Sequence, residues 1–323
     1  MDKVQGECER FNCFIKEPQD LVTTYEQTRA GFLNIALEKN VVGDPYVKNA
    51  LAFKAMVANT KGPDDFLGIS SVRPFLLTAS GLSDKSMQYL SKDDQTTAIK
   101  ELIEKFLKPA GENYVDEAIY RYLLIKGDAV GGTMRNRIGA LGQEKLVRTV
   151  LSCMNVQGIV YDWMSKENIW THKSEDDTGI EKIIKAIYWN CGHGDRILAF
   201  NLNIPIVKKN VDICLFEGTT ENYDKGKIVK DANRIIMLGE LKGGIDPAGA
   251  DEHWKTANTA LGRIRTSFTN AGYTVQTSFI GAAVANAMAI EIFEQLQAGV
   301  MTNAANLTNN NQLVEYCNWL LRI

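Results

Sequence analysis

The chain has 323 residues, of which 45% are hydrophobic and 23% charged, and its formal net charge is -3. This length and composition predict a globular protein of one large or two modest domains, with a sizeable core. The slightly acidic balance argues against a protein that coats nucleic acid non-specifically. This balance does not exclude a protein in which Lys and Arg are concentrated in a cleft.

The cysteines and the lack of long apolar runs bear on the cellular compartment. The N-terminal sequence is polar and charged, and no run of about 18 apolar residues occurs. Scattered thiols without a CxxC pair are typical of a reduced protein. The six cysteines are Cys8, Cys13, Cys153, Cys191, Cys214 and Cys317. We therefore expect a cytoplasmic protein with neither a signal peptide nor a membrane span.

The first third of the chain is predicted to be helical, with prolines near the expected helix ends. Apolar residues recur at helical spacing in the segments 21–39, 46–58, 94–107 and 114–125. Gly131-Gly132 mark a change of character, after which 133–154 is predicted to form one long helix. We place a boundary here. The region 1–130 is helical, and 131–323 forms a second region.

The second region is predicted to alternate strands and helices. Short apolar runs separated by polar or glycine-containing segments indicate strands at 196–201, 211–217, 235–242 and 274–284. Helical spacing indicates helices at 248–270, 286–297 and 311–321, and Asp246 and Pro247 would begin the first of these. This order predicts an α/β fold around a mixed central sheet.

Three charged residues stand inside two of the apolar strand-like runs. Asp212 lies within VDICLF, and Glu240 and Lys242 lie within MLGELK. Ionised groups in such surroundings are costly unless they are paired or bind a metal. Side chains alternate faces along a strand, so Glu240 and Lys242 point the same way. If the two runs pair as neighbours, two carboxylates and one ammonium group meet at one point.

This trio suits the hydrolysis of phosphodiester bonds. Two carboxylates can hold a magnesium ion, which acts as a Lewis acid and lowers the pKa of a bound water. A lysine can stabilise the charge that develops on the phosphate. A Glu-x-Lys pair on a strand is also common as a solvated surface or ion pair, so the residues alone leave both interpretations open.

The arrangement Asp212…Glu240-Leu241-Lys242 resembles the PD-(D/E)xK nuclease signature, with Val211 where that signature has proline. The longer stretch GELKGGIDPAGADEHWKTANTALGRIR, residues 239–265, resembles the AvaI/BsoBI family of type II restriction endonucleases. The resemblance extends over the whole chain.

This resemblance implies a restriction-endonuclease-like PD-(D/E)xK core with an added, largely helical N-terminal region. The substrate it implies is double-stranded DNA carrying the degenerate palindrome CYCGRG, cut after the first C to leave 5′ overhangs, with Mg²⁺ as cofactor. By motif position, Asp212, Glu240 and the backbone carbonyl of Leu241 map to metal ligands, and Lys242 to the catalytic lysine. A palindromic substrate favours a homodimer with two symmetric active sites. A cognate DNA methyltransferase would be a functional partner that makes no physical contact.

Two residues after the catalytic strand have alternative interpretations. His253 can position or deprotonate the attacking water, because imidazole titrates near neutrality, or it can be an ordinary hydrogen-bonded histidine. Asp246 can accept a hydrogen bond from cytosine N4 in the major groove, or it can be the N-cap of the next helix. The two roles of Asp246 can coexist only if its two carboxylate oxygens are shared between them.

Four basic residues are candidates for contacts with DNA phosphates. Lys208 and Lys209 precede the strand of Asp212 and can touch phosphates or simply be solvated. Arg135 and Arg137 follow Gly131-Gly132 at the expected start of the long helix, which suits a phosphate. They can equally pair with local carboxylates.

Two other functions use the same residues differently. A structure-selective repair or recombination nuclease would carry the same core and cut only junctions or flaps. A sequence-specific DNA-binding protein would keep the trio as a structural feature and never cut. The sequence contains no glycine-rich cofactor loop of a methyltransferase and no P-loop.

Overall fold

The computed structural model describes residues 11–323. The polar segment 1–10, which includes Cys8 and on which the expectation of no signal peptide rests, lies outside the described residues. The chain divides into two compact units. The described residues up to Phe32 and Ile138–Ile323 form what we call the sheet unit, and Leu33–Arg137 form the helical unit. The sequence places its single division after residue 130 and groups the residues before 33 with the helical region.

The helical unit contains short helices and parts of two long ones. Its helices are α2 (Tyr25–Met56, which begins in the sheet unit), α3 (Arg73–Ala79), α4 (Asp84–Met87), α5 (Lys92–Leu102) and α6 (Tyr114–Val156, which continues into the sheet unit). The core of this unit includes an aromatic stack in which the ring of Phe75 lies 4.0 Å from that of Phe53 and 3.9 Å from that of Tyr122. The predicted helical character of this region is confirmed.

The two long helices differ from the expected ones at prolines and glycines. Pro45 lies inside α2, so the segments expected at 21–39 and 46–58 form one helix. Proline removes one helical hydrogen bond and frees the carbonyl of Val41. Val41 is 66% exposed, so water can satisfy that carbonyl. Gly131-Gly132 do not begin a helix either. They lie in the interior of α6, which starts at Tyr114.

The sheet unit is built on one eight-stranded mixed sheet. Its strands are β1 (Tyr161–Ser165), β2 (Trp170–His172), β3 (Ile184–Asn190), β4 (Asp195–Ile204), β5 (Lys209–Glu217), β6 (Ile235–Lys242), β7 (Gln276–Gly281) and β8 (Asn303–Asn306). They are ordered β2-β1-β3-β4-β5-β6-β7-β8. Every neighbouring pair as far as β5 and β6 is antiparallel, whereas β6-β7 and β7-β8 are parallel. The fold is therefore mixed α/β, as predicted.

Helices cover the sheet. They are α1 (Pro18–Leu21), α7 (Thr220–Asp224), α8 (Lys227–Lys230), α9 (Ala250–Asn270), α10 (Asn286–Gln297) and α11 (Asn310–Arg322). α9 buries Trp254, Ala257, Leu261, Ile264 and Phe268, which recur at intervals of three or four residues. This periodicity puts them on one helix face. That face belongs to the same hydrophobic cluster as β-strand residues, so it anchors α9 against the sheet.

A segment near the N-terminus, residues 12–23, is fixed to the far end of the chain by buried amides. We call it the strap. Asn12 Nδ2 donates to the carbonyls of Ala304 and Gln312, at 3.2 and 2.7 Å. Asn306 Nδ2 donates to Leu21 O at 2.9 Å, and Gln312 Nε2 donates to Asp20 O at 2.7 Å. These bonds place residues 12–23 in the sheet unit.

In the part of the chain that the structure describes, no helix is both long enough and apolar enough to cross a bilayer. Cys153, Cys191, Cys214 and Cys317 are free thiols.

Candidate active site

Asp212 and Glu240 are brought together by the pairing of β5 with β6. The antiparallel register pairs Ile213 with Gly239, so Asp212 and Glu240 occupy the next position beyond the end of this ladder. There the backbone N–H of Leu241 donates to Asp212 Oδ2 at 2.9 Å. This bond holds the Asp212 carboxylate against strand β6. The two runs thus pair as the sequence analysis expected.

Lys242 joins the two carboxylates. Its Nζ donates to Glu240 Oε2 at 2.7 Å and to Asp212 Oδ2 at 3.2 Å. Glu240 and Lys242 share a face of β6 because side chains alternate along a strand. The structure therefore assembles the predicted trio at a single point.

The electrostatics of the trio are dominated by burial. Glu240 is only 5% exposed. Burial first, and repulsion by Asp212 second, raise the pKa of Glu240 to about 7 against the opposing influence of Lys242. Burial alone would lower the pKa of Lys242, but attraction to Asp212 and Glu240 outweighs burial and raises it. The site thus holds more negative charge than one ammonium group compensates.

A divalent cation suits this excess of negative charge. Among the described residues, no group of three or more His, Cys, Asp and Glu side chains is arranged to hold a metal. Magnesium does not require one, since it is usually held by one or two carboxylates and keeps several waters. Asp212 and Glu240 supply two such carboxylates, and the carbonyl of Leu241 remains a predicted third ligand. The donor set therefore fits a hard, oxygen-seeking ion.

The loop after β6 approaches its neighbours closely because it begins with two glycines. A Cβ atom on Gly243 would lie 2.9 Å from the carbonyl oxygen of Ile138 in α6. A Cβ atom on Gly244 would lie 2.8 Å from Cε1 of His253, in the first turn of α9. The imidazole of His253 thus packs against the backbone two residues beyond Lys242, and its catalytic role remains a prediction.

Asp246 caps the short 3₁₀ turn Pro247–Gly249, since its Oδ1 accepts from Ala248 N at 3.0 Å. The capping role expected from the sequence is therefore present. Asp246 is also solvent-exposed. A bond through Oδ1 leaves Oδ2 for a second partner, so the recognition role can coexist with the cap and remains a prediction.

The basic candidates lie in different places. Lys208 is exposed in the turn before β5 and has a φ of 57°, and Lys209 is the exposed first residue of β5. Arg135 is exposed in α6, and Arg137 Nε donates to Glu38 Oε1 at 2.5 Å. Because α6 begins at Tyr114, the expectation that both arginines stand at a helix start is wrong. Their contact with DNA would have to rest on the side chains alone.

Asn201 is a further candidate residue of the site, and the sequence alone does not indicate it. In β4 it lies between Phe200, which pairs with Ile213, and Leu202, which pairs with Val211, and its φ of 53° is unusual inside a strand. Such a conformation is costly for most residues and least so for Asn and Gly. Its Nδ2 donates to Gln143 Oε1 at 2.5 Å. Nothing in the run RILAFN signals this backbone conformation.

Comparison with known proteins shows the family to which the chain belongs. Residues 11–323 match the family described as restriction endonuclease BsobI. Over 317 residues the chain is 48% identical to the type II restriction enzyme BsoBI of Geobacillus stearothermophilus, covering 97% of this chain and 98% of that enzyme. It is 46% identical over 314 residues to the type II restriction enzyme AvaI of Nostoc sp., covering 97% and 99%. The AvaI enzyme of Anabaena variabilis matches to the same extent. The chain belongs to the BsobI family of restriction endonucleases.

Proposed function

We propose that this enzyme hydrolyses both strands of double-stranded DNA at the degenerate palindrome CYCGRG, after the first C, with Mg²⁺ as cofactor. The observation that carries the proposal is the trio of Asp212, Glu240 and Lys242, in which Lys242 Nζ lies within 3.2 Å of both carboxylates. Family membership and the trio together support a PD-(D/E)xK core in the sheet unit. The degenerate sequence follows from the resemblance to AvaI and BsoBI.

The side chains divide the chemistry among them. Asp212, Glu240 and the Leu241 carbonyl would hold the magnesium ion, which when bound supplies Lewis-acid stabilisation and a more acidic water. Glu240 must give up its proton before it can act as a ligand. Lys242 then turns from the carboxylates to the scissile phosphate and stabilises the charge that develops on it.

Residues outside the trio complete the proposal. His253 accepts the proton of the attacking water or orients that water. Asp246 reads a cytosine amino group with the oxygen that the cap leaves available. Lys208, Lys209, Arg135 and Arg137 contact phosphates, although Arg137 must then share its guanidinium with Glu38.

The palindrome supports a homodimer, because a twofold axis places one site on each strand. We also propose a cytoplasmic location, which the free thiols support. A host methyltransferase of the same specificity would protect the cell's own DNA. The helical unit would clasp DNA or contribute to the dimer.

Plasmid digestion tests the proposal. The parent, Lys242→Ala and Lys255→Ala are compared with magnesium and with a chelator. Lys255 is a matched control, because it is an exposed lysine of α9 paired with Asp251 at 2.6 Å. We expect discrete fragments with ends at one palindrome from the parent and the control only, and none without metal.

Other outcomes identify the alternatives. Cutting confined to junctions or flaps would favour a structure-selective nuclease. Sequence-specific binding without cutting, in any divalent metal, would favour a DNA-binding protein. Discrete fragments from Lys242→Ala would remove Lys242 from the catalytic site.

A further inference from the structure

The loop Gly243–Asp246 rests on α2 through an isoleucine seated on a glycine. Ile245 is only 4% exposed. A Cβ atom on Gly31 would overlap Cγ1 of Ile245 and would lie 3.0 Å from its Cβ and 3.1 Å from its Cγ2. No other residue at position 31 leaves this space, so Gly31 forms a notch in α2 that Ile245 fills.

The start of α2 is itself fixed to the sheet unit. Thr23, two residues before α2, donates from its Oγ1 to Ala282 O at 2.8 Å and from its N–H to Val284 O at 3.0 Å. Val284 N and Asn306 Nδ2 both donate to Thr23 Oγ1 at 2.9 Å. Gly31 lies eight residues further along a regular helix, so the notch has a defined place relative to the sheet.

Ile245 directly precedes Asp246. The Asp246 carboxylate is exposed, and its Oδ1 is committed to the cap of Pro247–Gly249. The direction of Oδ2 therefore depends on the backbone at Ile245 and Asp246. The packing of Ile245 into the notch at Gly31 fixes that backbone. Hydrogen-bond readout of a base tolerates only small displacements of the acceptor.

We propose that Gly31 and Ile245 form a positioning pair, which sets the place of Asp246 and thereby the discrimination between bases that carry an amino group in the major groove and bases that do not. This inference rests on the proposed function. Neither residue touches DNA in it, because both act through Asp246. The pair governs recognition, and bond breakage stays with the trio on β6.

A size swap tests the pair. Gly31→Ala adds a methyl group in the notch, and Ile245→Ala removes Cγ1, the atom that this methyl group would strike most severely, together with Cγ2, and leaves Cβ. Gly43→Ala is the matched control, since Gly43 lies in the same helix and its added methyl meets nothing within 4 Å. Asp246→Ala is the reference for loss of the reading group itself.

The measurement is the ratio of affinities for the CYCGRG duplex and for duplexes with one base pair changed, in buffer without magnesium. Thermal unfolding is followed in parallel. We expect Gly31→Ala to lower this ratio by at least about tenfold, the scale of one base contact. The loss should fall at the same base pair as the loss in Asp246→Ala. Gly43→Ala should match the parent, and Gly31→Ala/Ile245→Ala should recover much of the ratio.

Several outcomes would overturn the inference. These are an unchanged ratio in Gly31→Ala, an equal loss of affinity for all duplexes, or no recovery in the double variant. If Gly31→Ala fails to fold, Ile245→Ala alone decides, because an empty notch should also lower the ratio at the base pair that Asp246 reads. A parent chain that prefers no sequence refutes the proposed function itself, and the inference with it.

Discussion

Replacing Glu240 by glutamine should make the metal-free protein more stable at high pH. The pKa of Glu240 lies at about 7 in the folded protein, against an ordinary value of 4.5. Glutamine has nearly the shape of a protonated glutamate and carries no charge at any pH. Glu240→Gln therefore removes the cost of ionising a buried group next to Asp212.

The sign and size follow from the difference between the two pKa values. Below pH 4.5 the carboxyl is protonated in both folded and unfolded protein, so its contribution to stability is fully present. As pH rises to about 7 only the folded protein keeps the proton, and this contribution is lost. The whole difference amounts to about 3 kcal/mol. Between pH 5 and pH 8 the parent should lose about 2 to 3 kcal/mol relative to the variant.

Denaturant unfolding followed by tryptophan fluorescence suits this test, because Trp163, Trp170, Trp189, Trp254 and Trp319 all belong to the sheet unit. The parent, Glu240→Gln and Glu217→Gln are unfolded in chelator from pH 5 to pH 8. Glu217 is an exposed glutamate at the end of β5 and serves as the control. A Glu240→Gln advantage that does not change with pH would refute the reasoning. Adding magnesium at pH 8 should stabilise the parent and leave Glu240→Gln unchanged.

Three further predictions concern the same unit. Asp212→Asn should lower cleavage by at least about a hundredfold. It should also lower the pKa of Glu240, since Asp212 raises that pKa. The pH at which the stability change is half complete should then fall. Gly142→Ala should reduce both stability and cleavage, because its Cβ would lie 2.9 Å from Gly243 Cα. The control is Gly139→Ala, whose Cβ meets nothing within 4 Å. This control should match the parent in unfolding and digestion assays. Asn306→Ala should destabilise the sheet unit by about 1 to 3 kcal/mol, because it leaves the buried Leu21 carbonyl without its donor; an unfolding midpoint equal to that of the parent would contradict it.

The elements that the sequence predicts well are those whose apolar pattern matches their burial. β6 has the predicted bounds, 235–242, and α10 has the predicted bounds 286–297. The sequence does not predict β8, because its residues Asn-Ala-Ala-Asn are buried through amide hydrogen bonds and form no apolar run. β2 has only three residues and lies at the sheet edge, where little burial marks a strand.

Some features of the site can also be predicted from the sequence, and others cannot. The trio is readable because two of its members stand two apart on one strand, and the third lies in a neighbouring apolar run. The seat of Ile245 on Gly31 is not readable, since it joins residues more than 200 positions apart and depends on an absent side chain. The extent of α2 and α6 also escaped prediction, because helices whose neighbours stabilise them can continue through proline and paired glycines.

The strap has a consequence for the order of events during synthesis. Asn12 and Asp20 bond to Gln312, and Leu21 bonds to Asn306. Residues 12–21 must therefore wait until residues 306–312 have been made before these bonds can form. Contacts of such sequence separation form slowly, and they cannot form until residue 312 has left the ribosome. The strap also fixes the helix that carries Gly31. A chain whose residue 312 is still inside the ribosome thus lacks the contact of Ile245 with Gly31 that supports the loop after β6.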